Sequence, residues 1–440
     1  MSPAHAALTN AGLRRHRAVA RRCAALAAED IRWYTRYLIL TPVLWLGGVL
    51  TLAGLALTVR LAWRRWPQGG VVAVIALAWI SIGLFQALAS LANGMLAGDM
   101  ALGVRNALGM PVIGWLSAGL AIAAGYGCRL ADPRVARATA VLGGWILLFG
   151  AIAAVARLAG LPWLILETPV SLALPELDVA RFYGTAQFFL MEDTLGEVVT
   201  RLILFFPWAT GLGLGGAAIV LVSLRVRDVG WRLVGAAGGL VGVVFSWSRA
   251  ALIAVVAALA VQAFLKLPAL GRAALTGLAM IALFGAMAGG FDPVETVIGA
   301  QQSVSDARAG SSLARELIYE KSWEGFLESP IIGQGWIGPS VHHIHNLPIG
   351  SHSTVYGLLY TGGLPTFLAF AAALLLTTLT VAVRLVSART PRKARADLRT
   401  ALGLCVLLAV FSPFESLFSL TLPCLFLFTW IGGALREASP

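Results

Sequence analysis

Four of the six histidines in this sequence fall within eleven residues: His342, His343, His345 and His352. Imidazole binds metal ions and is also the side chain that changes charge near neutral pH, so such a cluster indicates either a metal site or a general base. No Asp, Glu or Cys lies within the stretch to complete a set of metal ligands. This favours a general base, and we expect no bound metal.

A single arginine interrupts a long apolar run. Arg249 follows Ser246, Trp247 and Ser248 near the middle of residues 231–265. A guanidinium between two apolar segments is costly unless it reaches the membrane surface or an anionic partner. Arg249 is therefore interpreted in two ways, as a turn residue that extends to the membrane surface or as an anion-binding group at the mouth of a cavity.

The chain before the histidines has the pattern of a short helix. Residues 312–328 can form it, with Ser312 as the N-cap. Arg315, Tyr319 and Trp323 recur at four-residue intervals and share one face of this helix. The pattern fits an amphipathic helix on a bilayer surface, and it fits equally well a helix that presents Arg315 to a lipid-linked diphosphate.

The composition identifies the elements that must position these residues as membrane helices. Of the 440 residues, 58% are hydrophobic and 12% are charged, and the mean hydropathy is +0.82. A soluble domain carries about 25% charged residues, so a string of soluble domains is excluded. The net charge of +12 comes from basic residues in short stretches between apolar segments. We attribute it to retention of Lys and Arg on the cytoplasmic side, and we expect no nucleic-acid partner.

The apolar segments predict an all-α polytopic membrane protein with about eleven (10–12) transmembrane helices. A single helix over residues 231–265 would measure roughly 52 Å, against ~30 Å for the hydrocarbon core. We therefore divide this run into two helices at residues 246–249. The other nine candidate spans are 37–59, 70–92, 108–128, 138–160, 201–224, 273–290, 353–383, 399–413 and 417–435.

The distribution of basic residues orients these spans. The loop 384–399 holds six basic residues and one acidic residue, so it should be cytoplasmic. Alternation then places residues 161–200 and 291–351 in outer loops. The second of these is about 60 residues long without a spanning segment, contains the short helix, and is the predicted catalytic loop.

We assign residues 37–440 to a single transmembrane domain and residues 1–36 to a basic N-terminal segment. The span count places the N-terminal segment outside, although it contains seven arginines. Either the count is wrong by one, or residues 13–36 form an amphipathic helix on a membrane surface.

The order of these motifs resembles that of the bacterial O-antigen ligase and polysaccharide polymerase superfamily. That family has a Ser-Arg turn between two helices and then a long outer loop with Arg, Trp and Pro-x-x-Gly-x-Gly, followed by a His that opens the next helix. The corresponding residues here are Ser248-Arg249, Arg315, Trp323, Pro330 with Gly333 and Gly335, and His352 with Gly362-Gly363. The family's usual His-Asn pair is His352-Ser353 here, while a true His-Asn occurs at His345-Asn346. We favour His352, because it adjoins the helix with the Gly-Gly ending.

The resemblance implies a fold like that of the GT-C membrane glycosyltransferases in a bacterial cytoplasmic membrane, with the site facing outward. It also implies transfer of a glycan from a polyprenyl diphosphate to a sugar hydroxyl, without a cofactor or metal and with inversion of the anomeric centre. His352 would be the base, while Arg249 and Arg315 would stabilise the diphosphate. Further candidates for substrate binding are Ser248, Tyr319, Trp323, His345, Asn346 and Arg181.

We expect a polysaccharide polymerase of the exopolysaccharide or O-antigen type. Its partners would be the lipid-linked donor, a glycan or lipid-glycan acceptor, the bilayer and other polysaccharide export proteins. Two alternatives stay open. One is an O-antigen ligase that transfers a finished glycan to lipid A core or another acceptor. The other is a polysaccharide or lipid transporter or flippase, which would place polar residues and broken helices at mid-membrane depth.

Overall fold

The computed structural model describes residues 26–176, 178–194, 197–288, 309–341, 348–421 and 424–438. Over these ranges the chain is mostly helical, as expected of an all-α membrane protein. Five of the described helical segments are long and apolar enough to cross a membrane, and two shorter ones are also apolar. A total of about eleven spans is not confirmed by this count. The five are Gly70–Leu96, Met100–Cys128, Pro133–Leu158, Arg249–Lys266 and Thr354–Val386, and the two are Ala209–Ser223 and Val229–Phe245.

The described elements are numbered here in chain order. Before the sheet come α1 (26–39), α2 (Thr41–Leu46), α3 (Leu50–Arg64), α4 (Gly70–Leu96), α5 (Met100–Ala107), α6 (Met110–Cys128) and α7 (Pro133–Leu158). The sheet region contains β1 (Leu164–Leu166), α8 (Pro169–Ala173), α9 (Asp178–Gly184), β2 (Ala186–Thr194) and β3 (Glu197–Leu204). After it come α10 (Ala209–Ser223), α11 (Val229–Phe245), α12 (Arg249–Lys266), α13 (Ala269–Ala288), α14 (Ala309–Glu328), α15 (Thr354–Val386), α16 (Arg392–Phe411), α17 (Leu417–Thr421) and α18 (Leu425–Glu437).

The first apolar run forms a helical hairpin, whereas the sequence predicted one span over residues 37–59. Helices α1 and α2 run to Leu46, the chain turns at Gly47–Val49, and α3 returns. Asp30 of α1 lies beside the residues at the end of α3, 3.4 Å from Arg64 and 3.5 Å from Arg65. The two ends of the hairpin therefore lie on the same side of the molecule.

The apolar run 231–265 divides as predicted. Helix α11 ends at Phe245 and α12 begins at Arg249. Small residues let α11 approach its neighbours closely, since a Cβ on Gly238 would lie 1.9 Å from the Gly143 carbonyl oxygen of α7. Close contacts of this kind hold membrane helices together, because lipid provides no hydrophobic driving force between them.

The segment 161–200, which was predicted to be an outer loop, contains most of a sheet that the sequence did not predict. Strands β1, β2 and β3 pair antiparallel in that order, and Leu190 of β2 lies opposite Arg201 of β3. Residues 201–204 belong to this strand, so the helix predicted over 201–224 begins only at Ala209. The sheet packs against α2 and α7 through an aromatic cluster of Trp45, Phe149, Phe188 and Phe205.

Helix α15 is interrupted within its first three turns. The Pro-x-x-Gly-x-Gly segment, residues 330–335, forms hydrogen bonds with the backbone at the interruption. Gly363 has φ +69°, and Pro365 lacks a backbone N–H. The N–H of Gln334 donates to the Tyr360 carbonyl at 2.6 Å, and the N–H of Gly335 donates to the carbonyl of Thr361 at 3.0 Å. In an apolar environment every backbone group needs such a partner. These hydrogen bonds therefore hold the segment against the first turns of α15.

Candidate active site

Helix α14 supplies two of the predicted site residues. It includes Ala309, so Ser312 lies inside the helix and the prediction of an N-cap at Ser312 is wrong. The side chain of Arg315 reaches the segment that follows α16, and that of Tyr319 reaches both this segment and the residue before α15. Trp323 is 45% exposed and contacts Phe326, with ring centroids 5.1 Å apart.

Arg315 is held by a buried carboxylate. Its Nη2 donates to Oε1 of Glu415 at 2.8 Å, and its Nη1 donates to the Phe414 carbonyl at 3.1 Å. The side chain of Glu415 is 5% exposed and that of Arg315 is 23% exposed. Removing one member of a buried ion pair costs about 3–5 kcal/mol, because the other charge is left without compensation. Glu415 therefore fixes the position of Arg315, a role that sequence reasoning did not assign to it.

Tyr319 connects α14 to the residue that precedes α15. Its hydroxyl donates to the carbonyl of His352 at 3.1 Å, and its ring stacks on Tyr356 at 4.7 Å with an interplanar angle of 9°. Burial raises the pKa of Tyr319 to about 12, so its hydroxyl keeps its proton at physiological pH. Tyr319 thus acts as a hydrogen-bond donor that holds the His352 backbone.

His352 has an uncommon backbone conformation. It lies immediately before Ser353, the N-cap of α15, with φ +58°. A residue other than glycine in this left-handed region costs roughly 1–3 kcal/mol and persists only where its surroundings enforce it. Here the hydrogen bond from Tyr319 and the N-cap contribute to that enforcement.

The hydrogen bonds of Ser351 assign the tautomer of the His352 ring. The Ser351 hydroxyl donates its one proton to the Pro348 carbonyl at 2.5 Å. The same oxygen lies 2.6 Å from Nδ1 of His352, so there it must accept. Nδ1 therefore carries the ring proton in the neutral form, and the lone pair is on Nε2. A lone pair on Nε2 is what a general base requires.

The surroundings of His352 oppose protonation of the ring. Burial is the largest cause, followed by the positive charges of Arg315 and Arg201, and together they lower the pKa of His352 to about 3. The ring is therefore neutral between pH 5 and 8.

Arg201 is the residue that sequence reasoning missed. It lies on β3, is only 7% exposed, and donates from Nε to the carbonyl of Ser246 at 2.9 Å. The helix predicted to begin at residue 201 made this arginine resemble an ordinary helix-end residue. The two runs of β-forming residues, 186–194 and 197–204, could have indicated a hairpin with Arg201 on one of its faces.

The Ser-Arg turn lies next to Arg201. Ser246, which accepts the Arg201 hydrogen bond, is followed by Trp247 at φ +53° and by Ser248. The Ser248 hydroxyl accepts from the N–H of Ala251 at 3.3 Å and caps α12, so it has a structural partner. Arg249 is the first residue of α12 and is partly exposed. The turn thus carries Arg249 beside the strand that carries Arg201.

Residues 234–371 match the family model described as O-Antigen ligase. The resemblance to the O-antigen ligase and polymerase superfamily is confirmed for this segment, which runs from α11 into α15. Members of this family are glycosyltransferase-like enzymes of polysaccharide biosynthesis in membranes. No curated protein matches the chain.

The O-antigen ligase segment contains most of the predicted site, and two contributing residues lie outside it. Arg249, Arg315 and His352 are inside, while Arg201 precedes the segment and Glu415 follows it. The site is therefore completed by parts of the chain on both sides of the O-antigen ligase match.

Other predicted residues are not brought into this group. Arg181 lies exposed on α9, and no hydrogen bond within the described ranges joins its side chain to His352 or Arg315. His345 and Asn346 lie outside the described residues, as do His342 and His343. Among the residues that are described, no three His, Cys, Asp or Glu side chains gather into a metal-binding group.

The candidate site combines a neutral histidine with several positive groups. Helices α12 and α15 both begin here, and helix N-termini carry a partial positive charge that favours anions. Arg201 and Arg315 act on the His352 ring through their charges. Such an arrangement can bind a phosphate-bearing group and accept a proton next to it.

Proposed function

We propose that this protein is a membrane glycosyltransferase that moves a glycan from a polyprenyl-diphosphate donor to a sugar hydroxyl on the outer face of the cytoplasmic membrane. We propose further that it extends a polysaccharide, as a polymerase. The observation that carries the proposal is the neutral His352 ring, with its lone pair on Nε2, close to the charges of Arg315 and Arg201.

The reaction assigns one role to each group. The acceptor hydroxyl attacks the anomeric carbon of the donor glycan and loses its proton to Nε2 of His352. The bond from that carbon to the diphosphate oxygen breaks, and the electron pair leaves with the diphosphate. Arg315, Arg201 and Arg249 stabilise the charge that develops there. Attack from the side opposite the leaving group inverts the anomeric centre.

Donor binding is expected to strengthen the base. Burial lowers the pKa of His352 most, and the charges of Arg315 and Arg201 lower it further and so weaken the ring as a proton acceptor. A bound diphosphate brings negative charge between the arginines and the ring, which raises the pKa of His352 again. The ring would therefore be a stronger base with the donor bound than without it.

A lipid-linked donor fits the expected location of the site. The outer face of a cytoplasmic membrane supplies no nucleotide sugar, whereas a polyprenyl diphosphate presents its glycan there. The hydrophobic surfaces of the helices can contact the lipid chain, and the arginines can contact its diphosphate. With several cationic groups serving the diphosphate, we expect transfer to persist in the presence of a chelator.

The first experiment compares the size distribution of cell-surface glycan made with the wild type and with His352→Ala. For a polymerase, the wild type gives a ladder of long chains and the variant leaves single repeat units on lipid. If the variant makes long chains and only fails to attach them to their final acceptor, the protein is a ligase. Lys321→Gln is the matched control, because the side chain of Lys321 on α14 is 42% exposed and pairs with Glu324 of the same helix.

A second experiment separates the enzyme from a transporter. Purified protein in detergent is mixed with the lipid-linked glycan donor alone, and the products are separated by size. New glycosidic bonds in the wild type, reduced about 10²–10⁴-fold in His352→Ala, support the enzyme. Recovery of unchanged donor from the wild type, together with donor movement across vesicles, would contradict it. The amount of folded protein in the membrane is measured in parallel for each variant.

A further inference from the structure

A second cluster of basic groups surrounds a cavity at the other end of the helices. The cavity has a volume of about 250 Å³ and is lined by residues from α1, from the α6–α7 and α10–α11 connections, and from α16 and α18. Arg227 precedes α11 and Ser246 follows it, so the cavity and the transfer site are separated by this 17-residue helix, about 25 Å long. The two sites therefore cannot share one ligand headgroup.

The charges around the cavity do not cancel. Four basic residues and three acidic residues line it. Arg225 is paired with Asp397 at 2.8 Å. The carboxylate of Asp132 is occupied by Arg134, which binds both of its oxygens at 2.9 and 3.2 Å. What is left on the lining is Arg129, Arg227 and Lys393 against Glu437 alone.

A buried donor lines the same cavity. Trp430 is 2% exposed, and its Nε1 has no hydrogen-bond partner among the described residues. The indole nitrogen can only donate, so the missing partner must be an acceptor. Leaving such a group without a partner is unfavourable, and native proteins rarely do so.

The size of the cavity limits what it can hold. Pockets for whole drug-sized or cofactor-sized ligands are typically about 300–1,000 Å³, and this cavity is at the lower end or below it. A phosphate group with a short substituent is compact, carries negative charge, and offers only acceptor oxygens. It therefore matches the volume, the excess of basic residues and the unsatisfied donor of Trp430.

From these observations we propose that the cavity is a binding site for a phosphate group, held by Arg129, Arg227, Lys393 and the Nε1 of Trp430. The phosphate belongs either to an anionic lipid headgroup or to a soluble phosphate compound. The lining comes from five separate parts of the fold, so a bound phosphate would connect the ends of several helices. The basic loops predict this face to be cytoplasmic, where anionic lipids are recognised by basic pockets between helices.

The test measures the melting temperature of the purified full-length protein with two probes. One is inorganic phosphate, compared with chloride at equal ionic strength. The other is a nanodisc of phosphatidylcholine with phosphatidylglycerol, compared with phosphatidylcholine alone. A rise with inorganic phosphate identifies a soluble source, and a rise only with phosphatidylglycerol identifies a lipid headgroup. No rise with either probe would overturn the proposal.

Three single variants connect the effect to the cavity. Arg227→Gln, Lys393→Gln and Trp430→Phe should each weaken binding about tenfold, as expected for the loss of one charge-assisted hydrogen bond. Trp430→Phe removes the unpartnered N–H together with part of the buried indole ring, so the melting temperature of each ligand-free variant is measured first and binding is taken as the shift from that value. Arg389→Gln is the control, because it removes the same charge from an exposed position in the neighbouring α15–α16 connection. Equal loss of binding in the control and in all three variants would show a nonspecific charge effect and overturn the proposal.

Discussion

His352 is subject to two requirements that oppose each other. A general base works best when its pKa lies near the working pH, whereas burial and two arginines lower the pKa of this histidine to about 3. The same arginines are needed to stabilise a diphosphate. The charge of a bound donor would offset the effect of the two arginines but not that of burial, so donor binding restores only part of the basicity of the ring.

We expect Ser351→Ala to lower the transfer rate about tenfold while leaving donor binding unchanged. The hydroxyl of Ser351 keeps the proton of the neutral ring on Nδ1, and without it the ring can adopt the tautomer whose Nε2 is not a base. Single-turnover rates and donor affinity should be measured for Ser351→Ala and for Ser351→Thr, which keeps the hydroxyl. Equal rates in all three proteins would contradict the assigned tautomer.

The stability of the protein should fall as the pH falls from about 6.5 towards 3. Because the pKa of His352 is lowered on folding, the unfolded chain binds a proton in this range and the folded chain does not. Protonation therefore favours unfolding at the acidic end. The melting temperature of the wild type should drop more steeply between pH 7 and pH 4 than that of His352→Gln, which cannot titrate. Parallel curves would show that His352 is not held neutral.

Individual residues differed in how far the sequence could predict them. His352, Arg315 and Tyr319 are local features of a motif or a helix face, and the structure brings these three together. Arg201 and Glu415 are single residues whose partners lie 45 and 100 positions away in the chain, respectively. Their environment depends on tertiary packing, and no spacing in the sequence indicates it.

At the scale of the elements, breaks between helices at polar residues were predicted more successfully than breaks within continuous apolar runs. Ser246 to Arg249 marked the division of a 35-residue run, because charged and polar groups do not lie inside a membrane helix without a partner. The break after Leu46 has only Gly47 and Gly48 to mark it, and the apolar pattern continues across it. The hairpin of β2 and β3 is also rich in apolar residues. For this reason the sequence predicted a helix over its last residues, 201–204.

Gly363→Ala should destabilise the protein by about 1–3 kcal/mol. The position has φ +69°, and a Cβ there would lie 2.3 Å from the carbonyl oxygen of Ile331. The change strains both α15 and the segment that pairs with its broken turn. Gly277→Ala is the matched control, since nothing lies within 4 Å of a Cβ at that position in α13. The melting temperatures of both variants should be compared with the wild type, and equal values would contradict the argument.

At the scale of the whole molecule, the helices separate two clusters of positive charge. The proposed transfer site lies where α12 and α15 begin. The basic cavity lies at the other end of the helices, where α11 and α16 begin. With this arrangement, the two proposed sites can bind phosphate-bearing groups independently of each other. The distribution of basic loops could be predicted from the sequence, whereas the gathering of five chain segments around one cavity could not.

The two ends of the α1–α3 hairpin should be accessible from the same side of the membrane. In a cysteine-free background, Glu29→Cys and Gln68→Cys should react with a membrane-impermeant maleimide only after permeabilisation. Trp163→Cys, which is exposed beyond the end of α7, should react in intact cells. If Glu29→Cys and Gln68→Cys were labelled from opposite sides, the single span predicted over residues 37–59 would be supported and the hairpin contradicted.

The salt bridge between Arg315 and Glu415 also determines when the site can form. Ribosomes add about 5–20 residues per second, so the carboxylate that holds Arg315 is synthesised roughly 5–20 s after the arginine itself. During that interval the residues of α14 have been synthesised, but Glu415 has not. The carbonyls of Pro413 and Phe414, which accept hydrogen bonds from α14, are also absent. A nascent chain thus carries the base and arginines of the site without the contacts that orient them. The proposed site is therefore complete only after the residues that follow α16 have been synthesised.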